Sequence, residues 1–164
     1  MPGTILTIDH GTQSIRALLF TPNGNLLAKY QVKIQPYVSP QPGWAEQDPE
    51  YLWGKVCEAC RGLLSSPGVD ASSIIGLSIT TQRSTLLNLD KNGNPLRPVI
   101  HWLDQRIATQ FKPVKGLWGL VFDLIGMRDT INYFQSQAEA NWILENQPEI
   151  WDKTDKFVFL SAYL

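Results

Sequence analysis

The stretch from Thr4 to Ile34 limits the fold more than any other part of the chain. Thr4 to Asp9 (TILTID) and Ile15 to Phe20 (IRALLF) are short runs rich in β-branched and aliphatic residues. Leu26 to Ile34 alternates well enough to be a third strand. Pro22-Asn23-Gly24-Asn25 lies between the second and third runs, and Asn-Gly supplies the positive-φ positions of a tight hairpin turn. A polar turn, His10-Gly11-Thr12-Gln13, joins the first two. Three strands in succession with short turns predict an antiparallel meander, whose first turn is polar, bears a glycine and is held still by apolar runs on both sides.

The meander gives way to a helix. Asp48-Pro49 has the form of an N-cap followed by proline in the first turn. From Glu50 to Leu64 the residues Leu52, Trp53, Val56, Cys60, Leu63 and Leu64 fall on one face. Ile74 to Thr80 and Leu86 to Leu89 read as strands, Asp90 to Pro95 as a turn and Val99 to Trp102 as a short strand, with Asp104 opening a polar helix. Lys112 to Asp129 mixes Gly116, Gly119 and Gly126 with large apolar residues and reads as a mobile, ligand-shaped or broken-helix segment. Ile131 to Asn146 reads as one helix ended by Pro148.

Composition removes several function classes. The chain has 164 residues, enough for one domain's core, and Lys+Arg 14 against Asp+Glu 15 give a net charge of -1. No basic excess is available to neutralise phosphates of a nucleic acid. No run approaches the length of a membrane span, and the first residues lack a signal-peptide pattern, so no membrane partner is expected. Two cysteines cannot staple a chain of this size, which points to a reducing, cytoplasmic setting. Cys57 and Cys60 have a metal-like spacing but no further cysteine or histidine nearby, and read as core thiols. Phe157 to Leu164 (FVFLSAYL) contains no charge. Such an apolar ending reads either as a buried last helix or strand or as the edge of a truncated piece, which is expected to pack against further chain and otherwise to drive self-association.

Two clusters carry chemistry. Asp9, Gly11, Thr12, Gln13, Ser14 and Arg16 gather around the first turn. Gly11 lets the backbone approach a ligand, the following N–H groups and hydroxyls form a nest for phosphate oxygens, and Asp9 can hold Mg²⁺ through water, since a hard cation keeps part of its hydration. The same string also serves as an ordinary polar hairpin turn. Gln82, Arg83 and Ser84 lie between two strands and offer donors to a hydroxyl-rich or anionic ligand. Trp102-Leu103-Asp104-Gln105-Arg106 and Tyr133-Phe134 are weaker signals, readable alone as a capped helix start and as core packing. His10 and His101 form no catalytic dyad with a serine, and Walker and Rossmann glycine patterns are absent.

In order along the chain, these motifs resemble the amino-terminal part of the FGGY family of carbohydrate kinases. The carrying residues are Asp9-His10-Gly11-Thr12 with Arg16, Pro42-Gly43-Trp44-Ala45-Glu46-Gln47-Asp48-Pro49, Gly76 to Arg83, Trp102 to Arg106, Tyr133-Phe134, Trp142 and Pro148 to Trp151. The resemblance covers essentially the whole chain. It implies a ribonuclease-H-like α/β fold, shared with actin, hexokinase and the heat-shock chaperone ATPase, with residues 1–164 forming the sugar-binding side. It also implies ATP and Mg²⁺ as cofactors and a small sugar or polyol as substrate. Asp9 to Ser14 and Arg16 would face the phosphates and metal. Gln82, Arg83, Ser84, Trp102, Asp104 and Tyr133 would line the sugar pocket, supported by Arg106. The family's Asp base and its ATP-binding domain would lie beyond Leu164, so residues 1–164 alone are expected to be inactive; a stand-alone carbohydrate-binding or regulatory module is the alternative. Two positions depart from the family: Ser84 stands where glycerol kinases carry Glu, which argues against glycerol, and Glu139 replaces a common Lys.

Overall fold

The computed structural model describes residues 3–164; Met1 and Pro2, part of the N-terminal stretch read above as carrying no signal sequence, lie outside the described residues. The meander forms as expected. Strands β1 (Thr4–His10), β2 (Ser14–Phe20) and β3 (Leu26–Lys33) pair antiparallel in sequence. Gly24, at φ 84°, takes the left-handed position of the second hairpin and donates its N–H to the Thr21 carbonyl. A two-residue strand β4 (Glu46–Gln47) precedes helix α1 (Pro49–Leu64). After α1, β5 (Ile74–Thr80) returns parallel to β1, giving the order β3-β2-β1-β5.

Asp48 caps α1, its carboxylate accepting the Glu50 N–H at 2.9 Å, and Pro49 fills a first-turn position that needs no donor. The helix buries Leu52, Val56, Ala59 and Leu63 against Ile8, Ile15, Ala17, Leu19 and Val32 of the sheet. Each large aliphatic side chain removed from water there contributes about 1.5–3 kcal/mol. Trp53 and Leu64, read from spacing as part of the buried face, are exposed at its margins. Tyr30 of β3 lies directly over Gly62, and a Cβ at that position would overlap its ring. Cys57 and Cys60 are free and partly buried; Cys60 packs against the core, and burial with Cys57 beside it pushes its thiol up.

A second sheet has the order β4-β7-β6-β8, built from β6 (Leu86–Leu89), β7 (Val99–Ile100) and β8 (Lys156–Phe159) with β4. Beside it, Ile100, Ala108, Trp142 and Ile143 form a smaller core with Trp44, Trp151 and Phe157. Four helices complete the chain: α2 (Gly116–Leu124), α3 (Arg128–Gln137), α4 (Glu139–Asn146) and α5 (Pro148–Lys153), followed after β8 by a single turn, α6 (Leu160–Tyr163).

Two expectations fail for local reasons, and a third resolves toward one of its two readings. No helix starts at Asp104: its carboxylate accepts the Arg106 N–H as a cap would, but it is also held by the Ala45 N–H and the Arg106 guanidinium, and the chain continues without a helical turn. The helix read over Ile131 to Asn146 is two helices. The Gln135 carbonyl is taken by the Asn141 side chain and the Ala138 N–H, and the Ser136 carbonyl by the Ala108 N–H, so neither is left to continue the ladder and Ala138 is extended. The apolar ending is not an open face: Leu160 is fully buried, Val158, Tyr163 and Leu164 pack against the main core, Phe157 meets Trp151, and only Phe159 of these apolar residues is exposed. Large apolar exposure falls instead on β5, at Ile75 and Leu77, and on α2, at Leu117, Trp118, Leu120 and Leu124.

Candidate functional site

The two chemical clusters of the sequence meet at the carboxyl ends of β1 and β5. Register puts Asp9 opposite Thr80 on one side and opposite Arg16 on the other, so strand pairing alone brings the first turn beside the Thr81–Ser84 loop. Gly11 donates its N–H to the Ser14 carbonyl at 3.0 Å and closes the turn. A Cβ on Gly11 would come within 3.2 Å of that same carbonyl oxygen, so the turn is built around a glycine.

A cleft of about 510 Å³ opens between these loops. Asp9, Gly11 and Thr12 form one side, Gln82, Arg83 and Ser84 the other, and Trp102 the end. Two hydrogen bonds tie the sides together. Gln82 Nε2 donates to the Gly11 carbonyl at 3.3 Å, and Trp102 Nε1 donates to Thr12 Oγ1 at 3.3 Å. Arg83 is exposed and forms no ion pair among the described residues, leaving its guanidinium free for a ligand. Ser84 sits at φ 50°, a left-handed conformation unusual for a residue with a side chain, so the loop is turned sharply where it borders the cleft.

On the outer side of the first turn lies a second groove of about 640 Å³, lined by Thr12, Gln13, Ser14 and Arg16 together with Gln31 and Lys33 of β3. Arg16 Nη1 pairs with Asp9 Oδ2 at 2.6 Å, with both side chains partly exposed. Among the described residues, Asp9 is the single carboxylate on the wall of the main cleft, and Arg16 engages one of its two oxygens. Lys33 was not singled out from the sequence. Its place opposite Ser14 follows from extending the β2–β3 hairpin register, which is the signal that finds it.

The remaining expected residues lie elsewhere. Asp104 and Arg106 do not line the cleft: their side chains are 3% and 2% exposed and face each other behind Trp102. Arg106 Nε and Nη2 fork onto Asp104 at 2.7 and 2.6 Å, and its guanidinium lies 4.1 Å from the Trp44 ring and 4.6 Å from the Trp142 ring. Burial alone would raise the Asp104 carboxyl, but hydrogen bonds from Arg106 and from the Ala45 N–H outweigh it and hold it below the usual range. Tyr133 lies on α3, 60% exposed and outside the cleft wall, with its ring 5.9 Å from that of Phe134. Two buried histidines flank the cleft instead. His10 forms part of its wall, and His101 precedes Trp102. Burial pushes His101 down to about 4, helped by His10 and opposed by Asp104.

This arrangement suits a ligand with hydroxyls on the Arg83 side and anionic oxygens at the turn. It belongs to a known class. The N-terminal domain of the FGGY family of carbohydrate kinases matches residues 4–164, and the chain is a member of that family. It is 33% identical to a glycerol kinase of Chromobacterium violaceum over 152 residues, which are 91% of this chain and 30% of that protein. It is 35% identical to glycerol kinase 1 of Saccharolobus solfataricus, with 98% of this chain and 32% of that protein covered. The fold is also that of a xylulose kinase from Rhodospirillum rubrum, at a TM-score of 0.75, 23% identity and coverage of 98% of this chain and 33% of the other. A Plasmodium falciparum glycerol kinase solved with ADP superposes at 0.67, with 22% identity and the same coverage. The chain thus spans about a third of the length of its relatives. Among the described residues, no helix is long and apolar enough to cross a membrane.

Proposed function

We propose that residues 1–164 are the sugar-facing part of an ATP-dependent carbohydrate kinase, a cytoplasmic enzyme whose remaining machinery lies in further chain. The observation that carries this reading is the joining of a phosphate-type turn to a free arginine across one cleft, through the Gln82–Gly11 and Trp102–Thr12 hydrogen bonds. In the reaction, a hydroxyl oxygen of the sugar or polyol attacks the γ-phosphorus of ATP, the bond to the ADP oxygen breaks, and the hydroxyl proton passes to a base. Such a transfer depends on alignment and charge neutralisation more than on covalent chemistry. Arg83, Gln82 and Ser84 orient the hydroxyls, Trp102 closes the end, and the turn with Arg16 receives the phosphates. The donor set fits a metal–nucleotide: hydroxyls and backbone N–H groups at the turn, and one Asp9 oxygen that Arg16 leaves free. Asp9 would hold Mg²⁺, which neutralises phosphate charge when bound.

No second carboxylate lines the cleft among the described residues, so the base belongs to chain beyond Leu164 and residues 1–164 alone are inactive in this proposal. Ser84 supplies a hydroxyl where glycerol kinases carry Glu, and the substrate is accordingly a sugar or polyol other than glycerol. A coupled ADP-release assay over pentoses, hexoses and polyols tests this. The longer protein that contains this chain should turn over one of them, and residues 1–164 none. Turnover by the 164 residues alone, or glycerol as the best substrate of the longer protein, would overturn it.

A further inference from the structure

Trp102 is half-exposed, so packing of its own ring does not fix its place at the end of the cleft. Its position comes from the turn His101–Asp104, at whose tip it stands. That turn is held from below: His101 N–H donates to the Ala45 carbonyl at 3.0 Å, Asp104 N–H to the His101 carbonyl at 2.8 Å, and Gln105 N–H to the Gly43 carbonyl at 2.8 Å. Asp104 Oδ2 also accepts the Ala45 N–H at 2.7 Å. The Asp104 carboxylate is therefore the pin of the turn, and three further charged side chains determine where it sits.

Arg106 grips Asp104 through two nitrogens and reaches Glu46 Oε1 with Nη2 at 2.9 Å. Arg97 Nη2 donates to the same Glu46 oxygen at 2.7 Å, and Arg97 Nε donates to Gln147 Oε1 at 2.9 Å, at the junction of α4 and α5. Two guanidiniums and two carboxylates balance in charge, all nearly out of water. Buried ion pairs gain little over apolar packing of the same volume, because desolvation offsets their attraction. What they add is geometry: a planar fork between two carboxylates, set against the Trp44 and Trp142 rings where these meet edge to face, allows one orientation.

We propose that Glu46, Arg97 and Arg106 are positioning residues that set the Trp102 wall of the cleft, linking the Pro42–Pro49 segment and helix α4 to the place where substrate is held. The kinase reading enters only in what the wall faces; the placement of Trp102 is tested without substrate. In ¹H–¹⁵N spectra of the 164-residue protein, the six tryptophan indole N–H signals are assigned by single Trp→Phe variants. Arg106→Lys keeps a charge but cannot fork onto two carboxylates or stack as a plane. The expected result is a shift of the Trp102 indole signal and loss of its nuclear Overhauser contact to Thr12, with the Trp53 and Trp118 signals unmoved. Glu46→Gln, isosteric and milder, should move the same signal in the same direction. A Trp102 signal and Thr12 contact unchanged in both variants overturn the proposal. So does movement of all six indoles together in both, which would make the quartet a support of the whole fold. Titrating sugars into the unsubstituted protein separates the two readings: failure to perturb Trp102 counts against the kinase assignment and leaves the positioning result standing.

Discussion

Leu160→Ala should destabilise this protein severely, while Phe159→Ala, one residue earlier, should do almost nothing. Leu160 is fully buried in the main core, and its N–H donates to the Thr85 carbonyl at 2.9 Å. Truncating a fully buried leucine costs about 2–5 kcal/mol, from lost transfer energy and the cavity left behind. A domain has about 5–15 kcal/mol in total, so the loss is a large part of it. At roughly 2–4 °C per kcal/mol for a chain of this size, the melting temperature should fall by about 4–20 °C. Phe159 alternates outward on edge strand β8 and is 56% exposed, and surface changes of that kind stay within about 0.5 kcal/mol. Urea unfolding of the 164-residue protein, followed by tryptophan fluorescence with midpoints and slopes compared, measures both. Equal midpoints for the two variants would refute the claim that α6 is built into the core, and with it the finding that the apolar ending is largely covered within these residues.

Further outcomes follow from the same contacts. In the longer protein, Arg83→Ala should raise KM for the sugar by about ten- to a hundredfold, since losing a hydrogen bond from a charged donor costs about 1.5–3 kcal/mol; steady-state kinetics against Asp9→Asn, which should lower kcat instead, check the division of roles. Because burial holds His101 neutral, the unfolded chain binds its proton first as pH falls from 6.5 to about 4, and stability should drop by up to about 3 kcal/mol over that window. Urea midpoints against pH should show this slope reduced in His101→Gln. Sedimentation velocity should show that Leu77→Lys reduces any concentration-dependent association more than Phe159→Lys, since Ile75 and Leu77 are 71% and 66% exposed side by side on β5.

The parts of the molecule legible in the sequence are those governed by near neighbours. Strand period, the Asn-Gly turn and the Asp48-Pro49 cap each depend on a few consecutive residues, and all formed where read. The cleft was half legible: Asp9 to Thr12 and Gln82 to Ser84 sit at strand ends, where residues are turned toward an opening by the strands themselves. Asp104 and Arg106 misled for the opposite reason. A carboxylate two residues from an arginine looks the same in a sequence whether it faces a ligand or a second carboxylate sixty positions away, and only the fold reveals Glu46 and Arg97 beside them. The break at Ala138 was hidden likewise, because the groups that take the Gln135 and Ser136 carbonyls include Ala108, distant in sequence. Charged residues inside a recognised motif therefore divide into two kinds here. Arg83 is exposed at the cleft and without an ionic partner among the described residues, and is free to meet a ligand; Arg106 is buried among Asp104, Glu46 and two indoles, away from the cleft wall, and acts on a ligand there only through the placement of Trp102.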